Sequence, residues 1–175
     1  MSSIVVSTSL NPQSKSSLLA RETHKILSSK EETDWIDLRE FELPQCDGDK
    51  AYAHPNVHIV SKKLEKASCI FMAVAIYNYD CGASAKNLVE LTGGAWEDKT
   101  VAFLCAAGGK SSYMSIMSLA NSLMLDFRSV IVPRFVYTDG SAFHNGKISD
   151  PDIIGRIEQL VNSALRLESA MEKPI

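Results

Sequence analysis

Along the chain, short apolar runs alternate with stretches whose apolar positions recur at helical spacing. Five runs predict strands: Ile4–Val6, Trp35–Leu38, Ser68–Ile76, Thr100–Ala107 and Ser129–Val132. The third and fourth are almost continuously apolar, the pattern of parallel strands covered on both faces. Between them the spacing predicts helices over Ser14–Ser29, Val57–Lys66, Gly82–Leu91 and Ser112–Leu125. Asp150-Pro151 reads as an N-cap followed by proline at the first helical position, opening a last helix to about Ala170. Pro133 fits only at the end of the fifth strand or on a sheet edge. Arg39 to Asn56 is a polar loop punctuated by Pro44, Gly48 and Pro55.

Five strands alternating with five helices predict an α/β fold: a doubly wound, five-stranded parallel sheet with helices on both faces. Right-handed crossovers leave few strand orders, and five strands favour the flavodoxin-like order 2-1-3-4-5. The 175 residues show no repeat or linker and read as a single domain. Hydrophobic residues at 45% and charged residues at 22% exclude disorder and coiled coil. A balance of 18 basic to 21 acidic residues, net −3, carries no nucleic-acid footprint. No apolar run approaches the roughly 20 residues of a membrane span, and Met1 to Leu10 lacks the basic start of a secretory signal. Cys46, Cys69, Cys81 and Cys105 have no C-x-x-C spacing and read as reduced thiols of a cytoplasmic protein.

In such a fold ligands sit outside the carboxyl ends of the strands, so the loops after strands one, three and four are where chemistry is expected. The first, Ser7 to Ser17, holds five serines and Lys15 ahead of a helix. A helix N-terminus with free N–H groups and added hydroxyls suits a phosphate, although a plain serine cap has the same look. The loop after strand three, Ile76-Tyr77-Asn78-Tyr79-Asp80-Cys81-Gly82, offers rings and an amide suited to a flat heterocycle. Tyrosines closing a sheet end would read the same way. The third, Ala106-Ala107-Gly108-Gly109-Lys110-Ser111, lets a backbone approach a ligand closely or simply turns. Neither a G-x-G-x-x-G fingerprint nor a G-x-x-x-x-G-K-[ST] loop occurs. Val6-Ser7-Thr8 at the end of strand one lacks the acidic residues of a phosphate-accepting receiver.

These loops resemble those of the NAD(P)H-dependent FMN reductase family of flavodoxin-like flavoproteins. The family's first loop, approximately G-S-L-R-x-x-S-x-N, is matched by Ser9-Leu10-Asn11-Pro12-Gln13-Ser14-Lys15-Ser16, with Asn11 for the arginine and Ser16 for the asparagine. Its second motif, P-x-Y-N-x-x-x-P-x-x-L-K-N, is met by Ala75 to Asn87 with Tyr77, Asn78, Lys86 and Asn87 in register. Ala107-Gly108-Gly109 matches the small-Gly-Gly turn. The resemblance implies that Ser9, Asn11, Ser14 and Ser16 hold the FMN phosphate. It implies that Ile76, Tyr77, Asn78 and Tyr79 meet the isoalloxazine edge and Gly108 and Gly109 its pyrimidine side. Ala75 and Gly82 replace two prolines, which loosens the loop they would stiffen. Asp80 stands where the family has a small neutral residue, and a carboxylate beside the ring opposes the anionic reduced flavin. Lys86 and Asn87 lie inside a helix and are expected to be structural.

The function so implied is an oxidoreductase in which FMN takes hydride from NAD(P)H and passes electrons to a small-molecule acceptor such as a flavin, quinone or azo compound. One shallow site visited in turn by two substrates gives ping-pong kinetics, and no side chain need act as acid or base. Family members are usually dimers or tetramers, so a homodimer or homotetramer is expected. Two other readings of the same residues are a flavodoxin-type electron carrier and a flavodoxin-fold protein that has lost FMN. His54 and His58 are four apart, but Pro55 intervenes and no third metal ligand is evident. Cys81 reads as a packed thiol, and Met114, Met117 and Met124 at near-helical spacing read as core. The Arg39–Asn56 loop either reaches over a neighbouring subunit or is a surface excursion.

Overall fold

A computed structural model describes residues 2–171. The central sheet is parallel and runs in the order β2 (Thr33–Asp37), β1 (Ser3–Ser7), β3 (Cys69–Tyr77), β5 (Thr100–Ala106) and β6 (Val130–Ile131). A two-residue strand, β4 (Asp80–Cys81), folds back antiparallel on the end of β3. The expected order 2-1-3-4-5 is therefore present, and the fold is flavodoxin-like.

Alternation along the strands sends side chains to two separate cores. Ile70, Met72, Val74 and Ile76 of β3, with Val101, Phe103 and Cys105 of β5, pack under three helices. These are α2 (Pro55–Lys66), α3 (Ala83–Thr92) and α4 (Met117–Phe127), through Leu64, Leu88 and Leu123 among others. On the other face Phe71, Ala73, Ala102 and Leu104 meet α1 (Lys15–Ser28) and α5 (Pro151–Met171) through Leu19, Leu27, Ile157 and Val161. Both faces of β3 and β5 are dry, so their continuous apolar runs follow from the layering.

Three details depart from the sequence reading. The fifth strand breaks at Pro133 and Arg134 (φ 59°) and resumes as β7 (Val136–Thr138), which pairs with Leu104–Ala106. A hairpin of β8 (Phe143–His144) and β9 (Lys147–Ile148) turns on Asn145 and Gly146, both at positive φ. The helix expected from Ser112 starts at Met117, after a 3₁₀ segment over Lys110–Ile116.

The Arg39–Asn56 segment is tied down within its own chain. Asn87, inside α3, accepts the Cys46 N–H at 2.8 Å and donates to the Pro44 carbonyl at 2.9 Å. Asn56 donates to the Glu42 carbonyl at 3.1 Å, and Phe41 and Leu43 pack against the core. His54 is the N-cap of α2, its Nδ1 accepting the Asn56 N–H. Lys86 pairs on the surface with Glu90. Removing the Asn87 amide strands two backbone groups, a cost of about 1–3 kcal/mol. In Asn87→Ala, limited proteolysis should cut between Leu43 and Asp49 faster than in wild type while the rest of the chain stays resistant.

Candidate functional site

Parallel pairing brings the ends of β1, β3 and β5 to one height, Ser7 opposite Ala73 and Ala75 opposite Ala106. The loops that leave those ends enclose a cavity of about 580 Å³. Small-molecule sites run from about 300 to 1,000 Å³. Of the residues singled out in the sequence, Asn11, Ser14, Ser16, Ile76, Tyr77, Asn78, Tyr79, Gly108 and Gly109 all line it. Ser9 does not; it is buried, and its hydroxyl accepts the Asn11 N–H at 3.3 Å. It shapes the loop from behind.

One end of the cavity is built on the start of α1. Ser14 is the N-cap, accepting the Ser17 N–H, and its hydroxyl meets that of Ser16 at 2.8 Å. Asn11 closes the loop, its carbonyl accepting the Ser14 N–H and its side chain the Gln13 N–H. Ser17 turns inward to Ser7 at 2.8 Å. Thr8 anchors the loop to the Ala73 carbonyl, and Arg39, paired with Asp37, reaches the Pro12 carbonyl. Hydroxyls and helix-terminal amides thus converge with Lys15, which also lines the cavity. A cation over a positive dipole end is a setting for a phosphate.

At the opposite end Tyr77-Asn78-Tyr79-Asp80 form a two-residue hairpin. Asn78 (φ 50°) and Tyr79 (φ 63°) are both left-handed, the signature of a type I′ turn. Asparagine adopts that region readily; tyrosine does so at a cost of about 1–2 kcal/mol. Tyr79 is held by its hydroxyl, 3.2 Å from that of Ser111. The loop is not loosened by losing its prolines. The Gly82 N–H donates to the Ala75 carbonyl at 2.8 Å, a bond that a proline at 82 could not make.

Gly108 and Gly109 form the third wall. Neither has positive φ, and a Cβ added at either meets nothing within 4 Å. Neither packing nor backbone conformation requires glycine here, and both residues leave bare backbone lining the cavity. Tyr137, which the sequence reading passed over, fixes this turn by donating to the Gly109 carbonyl.

Residues 1–143 match the model of the NADPH-dependent FMN reductase family. The chain belongs to that family. A search of curated protein sequences finds no significant relative. Among solved structures, the flavoenzyme FerB of Paracoccus denitrificans, an NAD(P)H:(acceptor) oxidoreductase, superposes with a TM-score of 0.74 at 18% identity, covering 94% of this chain and 97% of its own. An oxidoreductase from Corynebacterium diphtheriae gives 0.76 at 14% identity, covering 97% of both chains. An FMN-dependent NADH-azoreductase from Bacillus anthracis, in complex with FMN, gives 0.63 at 11%, covering 96% of this chain and all 100% of its own. At these identities the likeness is one of fold.

Members of this reductase family bind FMN and use NAD(P)H. The residues present fit such a group: hydroxyl and amide donors with a lysine at one end, rings and an amide at the other, a bare backbone between. Asp80 does not oppose it from within, because it does not line the cavity. Its carboxylate accepts the Cys81 N–H at 2.7 Å and the Ser118 hydroxyl at 2.9 Å, and these bonds hold it below the usual carboxylate range. Burial and the Asp80 charge push the Cys81 thiol up to about 11, which disfavours its thiolate.

The loop after β7 also reaches the site, and nothing in the sequence reading singled it out. A Cβ built on Gly140 would lie 2.6 Å from the Lys15 ammonium, so this loop packs directly beside that lysine. Asp139 faces the same way. Hydrogen bonds from Ser141, joined by the charges of Lys110 and Lys15, hold it below its ordinary range. An acid directly after the buried 135–138 stretch gave no cue that it would meet the first loop.

The geometry separates stability from binding at two positions. Gly108→Ala should unfold in urea within about 1 kcal/mol of wild type, yet bind FMN at least about tenfold more weakly in a fluorescence titration. Tyr79→Gly should gain stability by about 0.5–1 kcal/mol by relieving the left-handed tyrosine, read as a higher urea midpoint.

Proposed function

We propose that this chain is a cytoplasmic, FMN-dependent oxidoreductase that takes hydride from NAD(P)H and reduces a small-molecule acceptor of the flavin, quinone or azo class. The single observation that supports it is one cavity at three adjacent strand ends, with a phosphate-type end at α1 and a flat-ring end between the Tyr77–Tyr79 turn and Gly108-Gly109. FMN, when bound, supplies the two-electron chemistry between NAD(P)H and the acceptor. The chain's own work is to bind and to orient.

Asn11, Ser14 and Ser16 would hold the phosphate with the first amides of α1, and Lys15 would supply the charge that the family's arginine provides at the position of Asn11. Ser9 would act on the phosphate through Asn11. Ile76, Tyr77, Asn78 and Tyr79 would line the ring edge, and Gly108 and Gly109 would let the backbone approach its pyrimidine side. With no side chain needed as acid or base, both substrates use one face in turn, and the kinetics are ping-pong.

The reading includes a homodimer or homotetramer. Met114, Met117 and Met124 are not core: they are 62%, 39% and 39% exposed, and Leu125 beside them is 77% exposed. An amphipathic count places such residues on one face without saying what covers it. Exposed methionine and leucine over the 3₁₀ segment and α4 make a surface suited to a second copy.

Asn78 offers the sharpest test, because asparagine there serves both as a left-handed residue and as an amide. Asn78→Gly keeps the turn and removes only the amide. Losing one buried hydrogen-bond partner costs about 1–3 kcal/mol, so its FMN dissociation constant should rise roughly 5- to 150-fold. Ser17→Ala should change it little. Mixing the FMN-loaded protein with NADPH in a stopped-flow instrument should bleach the flavin bands within a turnover. An FMN protein that bleaches only with a partner protein would be a carrier, and one that takes up no FMN would have lost the cofactor. Steady-state lines for the two substrates should be parallel.

A further inference from the structure

The turn at the ring end of the cavity has a conformation that its own residues do not dictate. Tyr79 is left-handed at φ 63°, a region that a tyrosine rarely enters. Such a conformation persists only where the surroundings over-determine it. On one side the surroundings are the sheet itself. There β4 pairs with β3, Tyr77 opposite Asp80, and the Gly82 N–H donates to the Ala75 carbonyl at 2.8 Å. On the other side stands a single stretch of chain, the 3₁₀ segment over Lys110–Ile116 and the start of α4 at Met117.

Two serines of that stretch meet two consecutive residues of the turn. The Ser111 hydroxyl lies 3.2 Å from that of Tyr79, and the Ser118 hydroxyl donates to Asp80 Oδ1 at 2.9 Å. The same Oδ1 accepts the Cys81 N–H at 2.7 Å, so one oxygen ties α4 to the backbone of β4. The two contacts differ in place. Tyr79 and Ser111 line the cavity, whereas Asp80 and Ser118 do not. Whatever Asp80 does at the site it therefore does through the turn.

We propose that Asp80 is a positioning residue: latched to α4 by Ser118, it holds the Tyr77–Asp80 turn in the shape that presents Asn78 and Tyr79 to a flat ring. The inference rests on the reading of the cavity as a flavin site, and adds that its ring end is built before the ligand arrives. A site shaped in advance has less ordering left to do on binding. What the latch requires at position 80 is a hydrogen-bond acceptor; a negative charge is not required.

The variants for the test are Ser118→Ala, Asp80→Ala and Asp80→Asn in the full-length chain. Flavin affinity, the urea midpoint and hydrogen exchange of the ligand-free protein are measured for each. Ser118→Ala removes only the α4 side of the latch, at an exposed helix position where alanine is favoured, so its urea midpoint should match or exceed that of wild type. Its dissociation constants for FMN and for riboflavin should both rise about three- to fivefold, because the loss lies at the ring and not at the phosphate. Asp80→Ala should raise both about tenfold. Asp80→Asn, whose amide oxygen accepts the same bonds, should bring both back to within about twofold of wild type. Without flavin, a peptide spanning residues 76–82 should exchange faster in Ser118→Ala and Asp80→Ala than in wild type or Asp80→Asn. Unchanged flavin affinity and unchanged exchange in Ser118→Ala overturn the proposal. So does an Asp80→Asn protein as weak as Asp80→Ala, which would make the charge the agent. A loss of affinity for FMN with riboflavin unaffected also overturns it, because the effect would then lie at the phosphate. A wild type that takes up neither flavin defeats the reading of the cavity, and exchange alone then supports or overturns the latch.

Discussion

The pairing of β3 with β5, in register from Cys69 opposite Thr100 to Ala75 opposite Ala106, is the contact on which the rest depends. Both strands are buried on both faces, so neither can slip by one residue without sending its side chains into the wrong core. That fixes the height at which Tyr77 and Gly108 leave the sheet. β1, locked to the other side of β3, delivers the start of α1 to the same level. Three loops with no sequence contact therefore face one another without any of them having to be long. The cavity is a product of register more than of loop design.

The layered core was legible because its physics is local. Apolar runs such as Ser68–Ile76 and the Asp150-Pro151 cap report directly on burial and on helix starts. The Ser7–Ser17 loop was legible for the same reason, since a helix N-terminus after a first strand has one place to be. What escaped depended on contacts between distant residues, or on conformations that the residue types do not advertise. Tyr79 carries no sign of left-handed backbone; only the Gly82–Ala75 hydrogen bond and the β3–β4 pairing put it there. Met114, Met117 and Met124 recur at near-helical spacing, but periodicity cannot say whether such a stripe meets a core or solvent. Tyr137 and Asp139 reach the site only because β7 continues beyond the Pro133 break. One missed element did carry its own signal: Asn145-Gly146 is a strong two-residue hairpin dipeptide, and it turns β8 into β9.

The departures from the family pattern have structural answers within the chain. Proline at two positions is exchanged for a hairpin, so stiffness imposed by rings becomes stiffness imposed by backbone hydrogen bonds. A carboxylate added beside the pocket is turned away and bonded to α4 through Ser118. Lys15, the first residue of α1, stands four residues after Asn11 and lines the same cavity. Each change alters the means by which the loops are shaped.

The broken fifth strand bears on how the molecule avoids its own kind. An outermost strand normally presents a row of open carbonyls and N–H groups onto which another chain can add. Here β6 is two residues long, Pro133 interrupts the row, and Arg156 occupies the Phe135 and Tyr137 carbonyls. On this side the sheet cannot be extended by a neighbour as a continuous ribbon. Copies that meet there must do so through side chains, whose complementarity is selective, instead of through backbone, which any sequence can offer.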